Sequence, residues 1–139
     1  MKITKKIILI CFFSFFLACC DKETASVIPD YPVHFFIDLN IVNDLQIPGN
    51  SVYFPNQGYQ GAGVIVYCES QGSYFAYDAT CTNEVNSSCR LKNEGLTAQC
   101  SCCDSKFILV GGNVLSGVAV APLKQYRTSL QQNRIWVYN

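Results

Sequence analysis

Four cysteines in the second half of the chain have spacings that suit a metal site. Cys100 and Cys103 are separated by two residues, which lets both sulfurs converge on one ion while nearby backbone N–H groups point at them. Cys81 and Cys89 lie on an earlier loop and could supply two more sulfurs. Thiolates in such an arrangement bind zinc or iron. The spacing therefore predicts a four-thiolate metal site made of these cysteines.

Short runs of β-branched and aromatic residues surround the cysteines and predict strands. Gly, Asn, Ser and Pro separate the runs, and no stretch has a helical period of useful length, so we expect an all-β domain. One run leads to Cys81, another ends at Cys100, and a third begins soon after Cys103, which puts two cysteine loops at the tips of neighbouring hairpins. The predicted strands cover 33–39, 51–54, 64–68, 74–77, 96–99, 107–110, 125–130 and 134–138.

The composition bounds the size of the protein and its partners. Half of the 139 residues are hydrophobic, which suits a single domain. Three of the ten basic residues fall in the first six positions, and the other seven face ten acidic residues, a net charge of about −3. This balance leaves no basic stripe, so nucleic acid is not an expected partner. The single histidine, His34, is remote from the cysteines, so we expect no acid–base machinery and no enzyme activity.

The first eighteen residues have the pattern of an export signal. Lysines near the start precede an apolar run over 7–17 that is too short to span a bilayer comfortably as a helix. Small residues and a cysteine follow, so the segment is similar to a bacterial lipoprotein signal, which ends at the cysteine that receives the lipid. We predict a signal peptide over 1–18 and lipid on Cys19, with Cys20 as the alternative.

The predicted signal sets the rest of the domain organisation. Residues 19–30 are polar and are expected to form a flexible tether, and residues 31–139 to form the β domain. The lipid would hold the protein on a membrane of the bacterial cell envelope, facing the periplasm or the surface. An ordinary cleaved signal or an uncleaved anchor is the alternative reading.

Export also gives the cysteines a second chemistry, because thiols outside the cytoplasm tend to pair. The sequence does not choose among the pairings. If the cysteines of the site pair with each other, the domain holds no metal and the disulfides staple its loops. Outside the first twenty residues, the cysteines are Cys68, Cys81, Cys89, Cys100, Cys102 and Cys103.

The order of these features resembles the Rieske iron–sulfur domain over roughly residues 63–138. The family carries two ligand loops at hairpin tips, and 18 residues separate Cys81 from Cys100 here. The resemblance implies a Rieske-like antiparallel β-sandwich and electron transfer to a redox partner protein. Further matching positions are Ser105-x-Phe107, the glycine turn after it, Gly117-x-Ala119 and Pro122-Leu123.

The chain departs from the Rieske pattern at the two histidine ligands. Asn83 and Cys103 stand at their positions, and His34 lies on an early strand that the resemblance does not reach. A Rieske centre needs two imidazoles on one iron, so the site here is expected to use cysteines alone, with a [2Fe–2S] cluster or zinc. In the family, a disulfide can link the loops through the cysteine at the Cys102 position, which implies a partner in Cys89 or Cys68.

These observations predict a membrane-anchored Rieske-like lipoprotein that binds metal through Cys81, Cys89, Cys100 and Cys103. With a [2Fe–2S] cluster it would transfer electrons, and with zinc it would not. The alternative is a structural or interaction lipoprotein whose Rieske-like scaffold is stapled by disulfides and holds no metal.

Overall fold

A computed structural model describes residues 26–139. The predicted signal peptide (1–18), both candidate lipid sites (Cys19 and Cys20) and most of the predicted tether therefore lie outside the described residues. Between residues 26 and 139, no helix has the length and apolar character needed to cross a membrane.

The described end of the predicted tether packs on the domain. Ile28 is buried, and the Nζ of Lys124 donates hydrogen bonds to the carbonyl oxygens of Ile28 and Pro29 at 3.4 and 2.8 Å. The same ammonium group lies 2.8 Å from the carboxylate of Asp30. Packed structure thus begins a few residues before the predicted domain boundary at residue 31.

The described chain is all-β and antiparallel, as predicted. A six-stranded sheet has the order β1-β10-β9-β4-β3-β2, and a four-stranded sheet has the order β5-β6-β7-β8. Two short 3-10 helices, Asn43–Gln46 and Tyr59–Gly61, lie on the connections. The strands are β1 His34–Asp38, β2 Ser51–Phe54, β3 Val64–Ser70, β4 Ser73–Asp78, β5 Leu91–Asn93, β6 Thr97–Cys100, β7 Lys106–Ile108, β8 Val114–Ser116, β9 Gln125–Gln131 and β10 Arg134–Tyr138.

Strand β3 separates two hydrophobic cores. Successive side chains of a strand point to opposite faces of the sheet. Ile65 and Tyr67 therefore enter the core that lies under the small sheet, while Val64, Val66 and Cys68 enter the core on the other face. Both faces are covered, which explains why this run is apolar without alternation. The cysteine loops belong to the first of these cores.

A buried carboxylate fixes the end of β4, from which the chain enters the first cysteine loop. One oxygen of Asp78 accepts the hydroxyl of Tyr126 on β9 and the backbone N–H of Tyr59, both at 2.6 Å. The other accepts the backbone N–H of Thr80 at 2.8 Å. The buried carboxylate of Asp78 is the acceptor in all three bonds, so breaking them would cost free energy of folding. The network therefore fixes the backbone just before Cys81.

Both cysteine loops lie at hairpin tips, as predicted. The first loop spans residues 81–89 and is closed by an isolated antiparallel bridge between Thr80 and Arg90. The second loop spans residues 100–104 and joins the antiparallel pair β6 and β7. Strands β5 and β8 were not expected from the sequence, because each has only three residues. They are strands because they pair with β6 and β7 in the small sheet.

Candidate metal centre

Three of the four predicted ligands come together where the two loops meet. The sulfurs of Cys81, Cys100 and Cys103 all lie within 4.8 Å of one another, and we call this group the three-sulfur cluster. The sulfurs of Cys81 and Cys103 are 3.5 Å apart. Cys81 and Cys100 are buried, whereas Cys103 is half-buried. The cluster therefore has a buried side and a side that faces solvent.

The first loop holds Cys81 in an apolar setting. Its backbone N–H donates to the carbonyl of Cys89 at 2.9 Å, which closes the loop on itself. Burial, and then a hydrogen bond with the Cys100 thiol, raise the pKa of Cys81 to about 12, although the backbone N–H groups of Glu84 and Asn83 oppose the rise. In the absence of a cation, Cys81 is therefore a neutral thiol at physiological pH.

The second loop has the backbone arrangement that a Cys-x-x-Cys pair favours. The backbone N–H of Cys102 points at the Cys100 sulfur, 3.4 Å away, and Cys100 N–H donates to the carbonyl of Ser105 at 2.8 Å. Asp104 closes the turn in the left-handed region, with φ of 56°. The predicted Cys100–Cys103 unit is thus formed, with one backbone donor directed at a sulfur.

Ser105 supports the Cys103 thiolate, a role that sequence reasoning did not assign to it. Its hydroxyl oxygen lies 3.3 Å from the Cys103 sulfur. Desolvation disfavours the thiolate, but hydrogen bonds from the side chain and backbone of Ser105, then from the Cys100 and Cys81 thiols, outweigh it and lower the pKa of Cys103. Of the described cysteines, Cys103 thus combines partial exposure with a lowered pKa.

A third loop, residues 117–121, is fastened to both cysteine loops. The Oγ of Ser105 accepts the backbone N–H groups of Val118 and Ala119 at 3.1 and 3.0 Å. From the first loop, the Thr82 hydroxyl donates to the carbonyl of Ala121 at 2.8 Å. The sequence shows this loop as a match to a family pattern, but its bonds to Ser105 and Thr82 are visible only in three dimensions.

The structure does not assemble the predicted four-thiolate set, because Cys89 is in a disulfide. Cys89 and Cys102 are bonded, with their Cα atoms 5.4 Å apart, and the bridge joins the two cysteine loops. The resemblance implied Cys89 or Cys68 as the disulfide partner of Cys102, and in the structure the partner is Cys89. Cys68 is a free thiol buried in the other core. A sulfur in a disulfide is not a thiolate ligand, so in this state Cys89 does not supply the fourth donor.

Three other polar side chains, those of Asn83, Asp104 and His34, do not complete the set. Asn83 and Asp104 are exposed, and Asp104 accepts a hydrogen bond from the Gln99 amide at 3.2 Å. His34 lies on the outer face of β1, where its ring packs against Trp136 with centroids 5.3 Å apart.

The donor set decides which inorganic groups the residues fit. A [2Fe–2S] cluster takes four protein ligands, and the three-sulfur cluster supplies three as long as Cys89 is bonded to Cys102. The described residues in this state therefore do not fit that cluster. Three thiolates with a side open to solvent fit a single thiophilic ion, such as zinc, with a fourth ligand from outside the protein.

No family model and no curated protein matches the chain. Among solved structures, it is similar to the ferredoxin of carbazole 1,9a-dioxygenase from Nocardioides aromaticivorans, with 21% identity over 78% of this chain and 97% of that one and a TM-score of 0.48. A ferredoxin of Sphingomonas yanoikuyae has 15% identity over 67% and 88%, with a TM-score of 0.45. A putative NADH-dependent nitrite reductase small subunit from Mycobacterium tuberculosis has 20% identity over 79% and 97%, with a TM-score of 0.46.

Proposed function

We propose that this domain binds one thiophilic metal ion, zinc in the first place, through Cys81, Cys100 and Cys103. The observation that carries the proposal is the convergence of three free sulfurs within 4.8 Å at the meeting point of two loops. The sulfurs come from two separate loops that the Cys89–Cys102 disulfide already joins, and this preorganisation supports the proposal.

The surroundings of the sulfurs suit a bound cation. A coordinated thiol loses its proton, so the buried Cys81 and Cys100 would become thiolates inside the core. The ion offsets most of this charge, and the N–H and O–H donors of Asn83, Glu84, Cys102 and Ser105 offset the remainder. On the solvent side, beside Cys103, one coordination position of the ion would remain open to water or to another ligand.

The location of the domain is part of the proposal. The lysines, the apolar run and Cys19 or Cys20 support export and lipid attachment, and hence a site held near a membrane of the cell envelope. Zinc would give no electron transfer, since it has no redox chemistry. Electron transfer to a partner protein would require iron, and a [2Fe–2S] cluster would require a fourth ligand such as a freed Cys89.

A second function, a disulfide-stapled interaction domain without metal, is favoured by one observation. Cys89 and Cys102 are bonded, and the bridge already ties the two loops together. In an oxidising compartment the remaining sulfurs are subject to the same chemistry. The loops would then serve as a rigid surface for a protein partner.

Metal content separates these functions. The full chain would be purified in detergent from membranes, and also anaerobically, and then assayed for zinc, iron and free thiols. We expect about one zinc per chain, lost in Cys100→Ser and Cys103→Ser and retained in the matched control Cys68→Ser. About two irons per chain would contradict a single-ion site and would direct attention to Cys89 as a fourth ligand. No metal in either preparation would favour the stapled interaction domain.

A further inference from the structure

Two sulfurs of the three-sulfur cluster are close together but differ in their access to solvent. The sulfurs of Cys81 and Cys103 are 3.5 Å apart. Cys81 has no exposed surface, whereas Cys103 is half-buried at the tip of the second loop. A reagent in solution can therefore reach Cys103 and not Cys81. An exposed thiol beside a buried one is the arrangement that thiol–disulfide exchange requires, because one thiol attacks and the other resolves.

The two sulfurs are held in this position by neighbouring bonds. The Cys89–Cys102 disulfide ties the first loop to the residue just before Cys103. Ser105 fixes the other side of Cys103 and is itself fixed by the third loop. A disulfide between Cys81 and Cys103 needs the sulfurs to approach from 3.5 Å to about 2 Å.

We propose that in the metal-free chain Cys103 and Cys81 form a redox-active thiol pair that reduces an external disulfide. The activity goes beyond metal binding and does not depend on it, since the same sulfurs react when no ion occupies them. The substrate class is a solvent-accessible disulfide, either of a small molecule or on an exposed protein loop.

The reaction balances without any further oxidant or reductant. The Cys103 thiolate attacks one sulfur of the external disulfide, so a new bond forms to Cys103, the external S–S bond breaks, and one thiolate leaves and takes up the proton released by Cys103. Cys81 then attacks the Cys103 sulfur, its proton passing to the second leaving thiolate. The products are a Cys81–Cys103 disulfide and two external thiols.

Cys81 is the expected resolving thiol, although Cys100 is also near. The sulfurs of Cys81 and Cys103 are 3.5 Å apart, and the Cys100 sulfur lies within 4.8 Å of both. The Cys100 sulfur also faces the backbone N–H of Cys102, which holds it in its own loop. We expect resolution between the loops because the Cys81 and Cys103 sulfurs are in contact, and Cys100 is the competing thiol.

The test uses the full chain in detergent, freed of metal with a chelator under argon, and oxidised glutathione as the probe. Peptide mapping of the wild-type product is expected to find a Cys81–Cys103 disulfide, with about two glutathione thiols released per chain. Cys81→Ser should stop at a mixed disulfide with glutathione on Cys103, and Cys103→Ser should slow thiol release by at least about ten-fold.

Three results would overturn the proposal. The first is a wild-type product linked between Cys100 and Cys103, and the second is glutathione held at Cys89 or Cys102 in place of Cys103. The third is a wild-type mixed disulfide that persists unresolved. The mapping of the wild-type chain needs no variant, so a misfolded variant would not leave the question open. Cys68→Ser is the matched control and should react as the wild type does, because Cys68 is buried in the other core.

Discussion

The hydroxyl oxygen of Ser105 lies 3.3 Å from the sulfur of Cys103 while it accepts two backbone N–H groups, those of Val118 and Ala119. A hydroxyl has two acceptor positions and one donor. With both acceptor positions occupied, the hydroxyl proton is free to point at the sulfur. Ser105 thus connects the reactive side of the three-sulfur cluster to the third loop, residues 117–121.

Removing the Ser105 hydroxyl should affect both sides of this connection. In Ser105→Ala, the N–H groups of Val118 and Ala119 lose their acceptor, and we expect a loss of about 1–3 kcal/mol in the free energy of unfolding. The pKa of Cys103 should rise, because its thiolate loses a donor, so alkylation of metal-free Cys103 at neutral pH should slow. Chemical denaturation and iodoacetamide kinetics measure the two effects.

The matched control for this change is Ser101→Ala, on an exposed serine in the same cysteine loop. It should leave stability within about 0.5 kcal/mol and the alkylation rate unchanged. Equal effects of the two variants would show that Ser105 has no particular connection to Cys103.

Gly117 is required where the third loop crosses Ser105. A Cβ on Gly117 would come within 2.5 Å of the Ser105 Cα and 2.6 Å of its Oγ, and the φ of Gly117 is +100°. Gly117→Ala must therefore displace the loop from Ser105, and we expect a cost above about 2 kcal/mol in the free energy of unfolding.

Gly49→Ala is the control for the backbone part of that cost. Gly49 has a φ of +92°, and nothing lies within 4 Å of its would-be Cβ. Its substitution should cost only the strain of the left-handed conformation, about 1–2 kcal/mol. If Gly117→Ala costs no more than Gly49→Ala in thermal or denaturant unfolding, the contact with Ser105 is not important.

The Cys89–Cys102 bridge should stabilise the paired loops. Opening it with Cys89→Ser or Cys102→Ser removes a cross-link between residues 13 apart and should cost about 2–4 kcal/mol in the free energy of unfolding. The double variant should cost no more than either single one, because each removes the same bond. Additive losses would indicate that the two sulfurs act separately, as they would if Cys89 were a metal ligand.

The stability of the metal-free protein should fall at alkaline pH. Burial, first among the causes, raises the pKa of Cys81 from 9.0 to about 12, so the folded state binds this proton more tightly than the unfolded state does. Below pH 9 both states hold the proton and stability does not change on this account. Between pH 9 and 12 only the unfolded state loses it, and the free energy of unfolding decreases.

Denaturant midpoints measured from pH 7 to 11 check this expectation. Cys81→Ser should flatten the alkaline decline without abolishing it, because burial also raises the pKa of Cys68, Tyr77 and Tyr126. A decline of the same steepness in the variant would mean that Cys81 is not a contributor.

Much of the fold follows from local pattern. The alternation of Val33, Phe35, Ile37 and Leu39 with His34, Phe36 and Asp38 predicted β1. Of the four residues on the predicted inner face, Phe35 is half-buried and the other three are buried. Strands β2 and β10 have the predicted bounds, and Pro55-Asn56 supplies the turn residues that end β2. β5 and β8 could not be predicted, because three residues carry too little periodicity and depend on their partners in the small sheet.

The candidate site was predicted less completely. The assignment of Cys100 and Cys103 to one site could be predicted from their separation alone, because two intervening residues restrict how far apart the sulfurs can be. The role of Ser105 could not be predicted, since its bonds reach residues 13 and 14 positions further along the chain.

By itself the sequence determined the fold class, the two hairpin tips and the set of cysteines from which a site can be built, because periodicity and short spacings are local properties. Only the tertiary structure divided those cysteines into a bonded pair, Cys89 and Cys102, and a three-sulfur cluster. Which sulfurs meet depends on how the two loops approach each other, and that approach is set by the packing of the small sheet on β3 and β4 and by the buried carboxylate of Asp78. Distances between residues far apart in the chain are products of packing, and no local pattern encodes them.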